Sequence, residues 1–102
     1  MNIQQMIKQA QQMQRRVDKV KKEYDEKEFE FASQKDIVKG VIKGSGEIAK
    51  LSINKEYLNE DNLEMLEDMI IVTVNENVKK VLDEKEKLVN NITNGVDVSA
   101  FL

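Results

Sequence analysis

The opening segment repeats apolar residues at Ile3, Met6, Ala10, Met13, Val17, Val20 and Tyr24, in alternating steps of three and four. That spacing is the period of an α-helix with one narrow apolar seam, and such a seam has to be covered by a partner helix. With the seam at heptad positions a and d, Lys8, Arg15 and Lys22 fall at f, directly opposite, with Lys19 at c and Arg16 on the flank at g. One side of this helix must be buried while the other presents positive charge, an arrangement suited to an anionic polymer.

The remaining elements follow from local pattern. The first helix is expected over residues 3–25. Phe29 and Phe31 then alternate with Glu28, Glu30 and Ala32, which predicts a half-buried strand over 26–33. Gln34, Lys35 and Asp36 form a polar turn before a second strand at 37–43. The Gly44-Ser45-Gly46 connection can supply positive φ and leads to a third strand at 47–54, which makes an antiparallel meander. Asp61-x-x-Glu64 has the form of a capping box and predicts a second long helix over 61–90, closed by the Thr93-Asn94-Gly95 cluster. The β-branched run at 70–74 favours a strand on propensity alone, but length and the cap decide for helix. The fold class is α+β in the order α-β-β-β-α, a three-stranded antiparallel sheet with two long helices. One domain is expected over residues 1–102, with a loosely ordered tail at 94–102.

The second helix carries Leu63, Leu66, Ile70, Val74, Val78, Val81 and Leu88 on one broad face, and Met65, Met69 and Val72 add another. A helix apolar nearly all round is normally buried on two sides. One side can cover the sheet, which leaves the other for a second copy of the chain. At 102 residues the chain is near the lower end of what sustains a core unaided. The expectation is a homodimer with Met69, Ile70 and Val74 at its interface.

Composition removes most catalytic chemistry. There is no Cys and no His, so thiolate and imidazole chemistry and most transition-metal sites are excluded. Adjacent acids such as Glu67 and Asp68 point in different directions on a helix, and the serines have no activating base. The Gly44-Ser45-Gly46 turn lacks the Lys-Ser/Thr and the following helix that a phosphate-cradling loop needs. No catalytic residue, metal, cofactor or small-molecule substrate is expected. The first residues lack a basic stretch followed by an apolar one, and no run approaches the roughly 18 apolar residues of a membrane span, so a cytoplasmic protein without membrane contact is expected.

The formal net charge of −3 conceals an asymmetry. Lys8, Arg15, Arg16, Lys19, Lys21 and Lys22 face only Asp18 in the first 22 residues, whereas Glu60, Asp61, Glu64, Glu67 and Asp68 cluster without a base. Positive field is thereby concentrated at one end of an otherwise acidic chain. At about 1.5 Å per residue the three f-position cations extend over roughly 20 Å, enough to meet several phosphates. No aromatic residue accompanies them to stack on bases, and Gln11, Gln12 and Gln14 are ordinary helix formers. Double-stranded DNA with weak sequence preference is the expected partner. The alternative is a coiled-coil-type adaptor or chaperone whose seam binds another protein and whose basic face is merely solvated.

Three segments resemble one bacterial family. Residues 6–16, MIKQAQQMQRR, are similar to the N-terminal signature of the YbaB/EbfC family of nucleoid-associated proteins. Residues 39–54, KGVIKGSGEIAKLSIN, are similar to its glycine-turned hairpin, and residues 63–75, LEMLEDMIIVTVN, to its second long helix. The resemblance implies a DNA-binding homodimer of α-β-β-β-α order in the nucleoid, with DNA contacts on the terminal helices. Carried onto this sequence, those contacts are Lys8, Arg15, Arg16, Lys19 and Lys22, with Lys79 and Lys80 as lesser candidates. The chain departs from the family pattern in lacking glycines at 32–36, in having Lys55 where proline is common, and in its C-terminal ending.

Overall fold

A computed structural model describes residues 2–94. Its main elements are α1 (Ile3–Glu26), β1 (Glu28–Ala32), β2 (Val38–Lys43), β3 (Ile48–Ile53) and α2 (Leu63–Thr93), with short 3-10 turns at Gln34–Asp36, Lys55–Tyr57 and Glu60–Asn62. This is the α-β-β-β-α order expected. Residues 95–102, to which most of the expected loose tail belongs, lie outside the described residues.

The sheet is a meander in the order β1-β2-β3, antiparallel throughout. One face is apolar. Val38 and Ile42 of β2 are completely buried there, each contributing on the order of 1.5–3 kcal/mol, with Phe31 of β1 beside them. Phe31 stands opposite Gly40, and its ring occupies the space that a Cβ at Gly40 would need. The pairing of β2 with β3 slips between Val41 and Ile42, so that Ala49 is an extra residue on β3. Such a bulge bends the strand and increases local twist.

Two core clusters attach the helices. Ile37, Val38 and Leu66 form one, with Ile53, Tyr57, Met69 and Ile70 packed around it. The other joins Tyr24, Phe31, Ile42 and Val81, with Phe29, Ile48, Val74 and Val78 at its margin. The sheet therefore occupies the first half of α2, where the β-branched run is helical because packing overrides propensity. Tyr24 and Asp25, at the end of α1, meet Val81 and Lys85 midway along α2. Earlier turns of α1 are left to the second half of α2, where Val89 and Ile92 are half-buried and Thr93 is buried. The molecule is accordingly long and narrow, 69 × 18 × 18 Å.

The start of α2 differs from the expected capping box. Asp61 lies in the 3-10 turn, and the Asn59 side chain accepts from the Asn62 amide at 3.1 Å. The Asn62 side chain donates back to the Tyr57 carbonyl at 3.0 Å, which draws the chain into the turn and delays the helix to Leu63. At the other end α2 runs through Thr93, beyond the expected limit at 90. Asn94 follows in the left-handed region, at φ 51°.

Candidate nucleic-acid interface

The geometry of α1 is fixed by its seam. Ala10, Val17 and Tyr24, seven residues apart, are buried, and Met13 and Val20 between them are half-buried. Asn2 caps the helix, its side chain accepting from the Gln5 amide at 2.8 Å. The hydroxyl of Tyr24 donates to the Val81 carbonyl, and Lys85 Nζ lies 2.6 Å from Asp25 Oδ1, so the last turn is held to α2 at two points. Lys85 is only 23% exposed at its side chain and serves this joint rather than the surface. Nothing in its sequence neighbourhood, a mixed run of acids and lysines, distinguishes it.

Lys8, Arg15, Arg16, Lys19 and Lys22 are all exposed. Among the described residues none of the five is in an ion pair. Asp18, the one acid within this stretch, accepts a 2.8 Å hydrogen bond from Gln14 Nε2. The cations therefore share the exposed surface of one helix without an ion-pair partner among the described residues, although Glu23 and Glu26 follow one turn beyond Lys19 and Lys22. Lys79 and Lys80 of α2 are exposed as well, but Lys79 Nζ is 2.8 Å from Asp83 Oδ2. That hydrogen bond, and then the Asp83 charge, raise its pKa above the ordinary lysine value. Lys79 is thus partly committed within its own helix, and Lys80 is the freer of the two.

The three residues expected at a dimer interface lie against their own subunit. Met69 and Ile70 pack on the Ile37–Val38–Leu66 cluster and Val74 on the Tyr24–Phe31–Ile42–Val81 cluster, each remaining half-buried. Among the apolar residues that α2 displays outward are Met65, Ile71 and Val72, the last two 57% and 53% exposed, with Leu63, Leu82 and Leu88 also exposed along the helix. No described helix is long and apolar enough to cross a membrane.

The whole pattern, a basic amphipathic α1 joined through a three-stranded meander to a long α2, has known counterparts. A family model described as the YbaB/EbfC DNA-binding family matches residues 1–96. The chain belongs to the YbaB/EbfC DNA-binding family. It is a family of nucleoid-associated DNA-binding proteins rather than of enzymes. A nucleoid-associated protein of Malacoplasma penetrans is 43% identical over 88 residues, which cover 86% of this chain and 93% of that one. Another from Caldanaerobacter subterraneus is 35% identical over 97 residues, 95% of this chain and 87% of its own. Among solved structures, an uncharacterized protein from Helicobacter pylori superposes with a TM-score of 0.76 at 18% identity, covering 90% of this chain and 97% of that one. That likeness is one of fold alone.

Proposed function

We propose that this YbaB/EbfC protein binds duplex DNA with weak sequence preference through the outer face of α1, and does so in the cytoplasm as part of the nucleoid. The observation that carries the reading is the set of five exposed cations, Lys8, Arg15, Arg16, Lys19 and Lys22, without an ion-pair partner among the described residues, on a helix whose opposite seam is buried or half-buried from Ala10 to Tyr24. Phosphate contacts position a protein without reading sequence, and this surface offers ammonium and guanidinium groups but no aromatic platform. Lys80 and, less freely, Lys79 extend the field. The nucleoid location rests on the names of the relatives from Malacoplasma penetrans and Caldanaerobacter subterraneus.

The acting unit in this reading is a homodimer. Met65 and Val72 lie seven residues apart on one side of α2 with Met69 between them, and Ile71 borders that stripe. Ile70 and Val74 support it from the core beneath. A second copy laid along the stripe would bury residues that a small monomer leaves in water.

The deciding experiment is a salt titration of binding to unrelated duplexes by the native chain and by R15E/K22E. Counterion release makes affinity fall steeply with salt, with a slope of about 0.9 per neutralised phosphate, and the double reversal should flatten it while weakening all duplexes alike. An adaptor that uses its apolar seam, of which Ile3 and Met6 are exposed, would show weak salt dependence and indifference to the reversal. A folded R15E/K22E protein with native affinity and slope would remove α1 from the interface.

A further inference from the structure

The sheet has a second face that neither helix covers. Glu30 and Ala32 of β1, Lys39 and Val41 of β2, and Lys50 and Ser52 of β3 share it, since Glu30 pairs with Val41 and Val41 with Lys50, while Ala32 pairs with Lys39 and Lys39 with Ser52. The bulge at Ala49 curls this face, and together with the turn bearing Lys35 and Asp36 it encloses an open hollow of about 940 Å³. Val41 is half-buried in its floor, and Asn54 stands at the rim.

Three features of this hollow bear on what it could hold. Lys39 and Lys50 are diagonal neighbours of like charge on one sheet face, close enough for their long side chains to reach a common ligand. Among the described residues neither they nor Lys35 has an ion-pair partner, although Glu30 and Asp36 also line the hollow. Lys35 and Asp36 both sit in the left-handed region, at φ 57° and 55°, without being glycine. Strain of this kind persists where the surroundings or a ligand hold it. An anion seated among the three ammonium groups would relieve the charge repulsion and use the Ser52 hydroxyl as a donor. The Phe31 ring fills the other side of the sheet, against the space of a Gly40 Cβ, so the hollow offers no ring for a base to stack on.

We propose that the hollow formed by Lys35, Lys39, Lys50 and Ser52 is a second phosphate-binding site, one that takes a phosphodiester of the DNA backbone independently of α1. It rests on the duplex-binding reading above. Binding through helix and sheet together would let one protein touch DNA at two places, or two duplexes at once.

The test compares the full-length native chain, K39Q/K50Q, K39R/K50R and R15E/K22E in salt titrations with a short duplex, after thermal melts establish that each is folded. The expected result is a slope lowered in K39Q/K50Q by about 0.9 for each phosphate no longer neutralised, retained in K39R/K50R, and lowered further when K39Q/K50Q is combined with R15E/K22E. The single variant K50Q, expected to lower the slope by about half as much, serves if the double variant does not fold. A slope unchanged in K39Q/K50Q while R15E/K22E lowers it would overturn the sheet site and leave the α1 reading standing. The opposite outcome would remove α1 and keep the hollow. No duplex binding by the native chain would overturn both. Polyglutamate that competes as well as duplex in the native chain, but not in K39Q/K50Q, would mean that the hollow takes acidic polypeptide, against the proposal.

Discussion

The Tyr24 hydroxyl donates a 2.8 Å hydrogen bond to the main-chain carbonyl of Val81, and both residues are buried. This bond fixes the rotation of α1 about its own axis. Because Tyr24, Val17 and Ala10 are spaced by seven, turning Tyr24 inward turns the other two inward, and sends Lys22, Arg15 and Lys8 outward in the same motion. The β2–β3 turn closes over the joint, since Gly44 lies so near the Tyr24 carbonyl that a Cβ there would overlap it. A side chain in the core thus sets the direction of a charged surface.

Replacing Tyr24 with Phe should cost about 1 kcal/mol, the usual net value of one hydrogen bond. It should also change the alkaline limb of stability. Burial first, and the Glu84 charge second, raise the Tyr24 pKa above its ordinary value of 10.0. The neutral hydroxyl is therefore favoured more in the folded state than in the unfolded one. Its contribution is complete below the ordinary tyrosine pKa and is lost as pH rises through the raised value. Ultraviolet titration should show Tyr24 ionising above the ordinary tyrosine value, and Tyr24→Phe should remove that late step. The absence of a late step that Tyr24→Phe removes would contradict the buried hydrogen bond.

Lys35→Gly should raise the melting temperature. A residue with a Cβ in the left-handed region costs about 1 kcal/mol or more, and glycine escapes that cost. The more flexible unfolded chain returns about 0.4–1 kcal/mol of it. The net gain is under about 1 kcal/mol, or a few degrees for a chain of this size. Calorimetry of the single variant measures it, and a lower melting temperature would mean that the Lys35 side chain makes an interaction worth more than its strain.

Much of this molecule is legible in the sequence because period alone determines it. The seven-residue spacing from Ala10 to Tyr24 defines the buried side of α1, and the alternation of Phe29 and Phe31 defines the apolar side of β1. Features that depend on competing local partners are not legible. Asn62 donates its amide N–H to the Asn59 side chain and its side-chain N–H to the Tyr57 carbonyl, and these bonds take the place of the Asp61 cap, although Asp61 and Glu64 have the right spacing. The left-handed backbone at Lys35 and Asp36 has no glycine to announce it. The inner side of α2 is a tertiary matter, because apolar residues surround its first half. Val38, Phe31 and Ile42 select Leu66, Ile70 and Val74 as that side, and Met65 and Val72 are left outside.

That division gives opposite roles to Val74, which the sequence places at the dimer interface, and Val72. Val74 packs half-buried against the Tyr24–Phe31–Ile42–Val81 cluster, so Val74→Asp would press a carboxylate against apolar surface and destabilise the subunit itself, by about 1–3 kcal/mol. Val72 is 53% exposed, and in an isolated subunit Val72→Asp should change stability by only about 0.5 kcal/mol. Within a dimer packed along Met65, Met69 and Val72, however, two new carboxylates would face apolar surface. Sedimentation velocity at micromolar concentration should therefore show a native dimer, a folded monomer for Val72→Asp, and partial unfolding for Val74→Asp. A Val72→Asp protein that sediments as the native dimer would place the interface elsewhere on the chain, and a native chain that sediments as a monomer would exclude the homodimer itself.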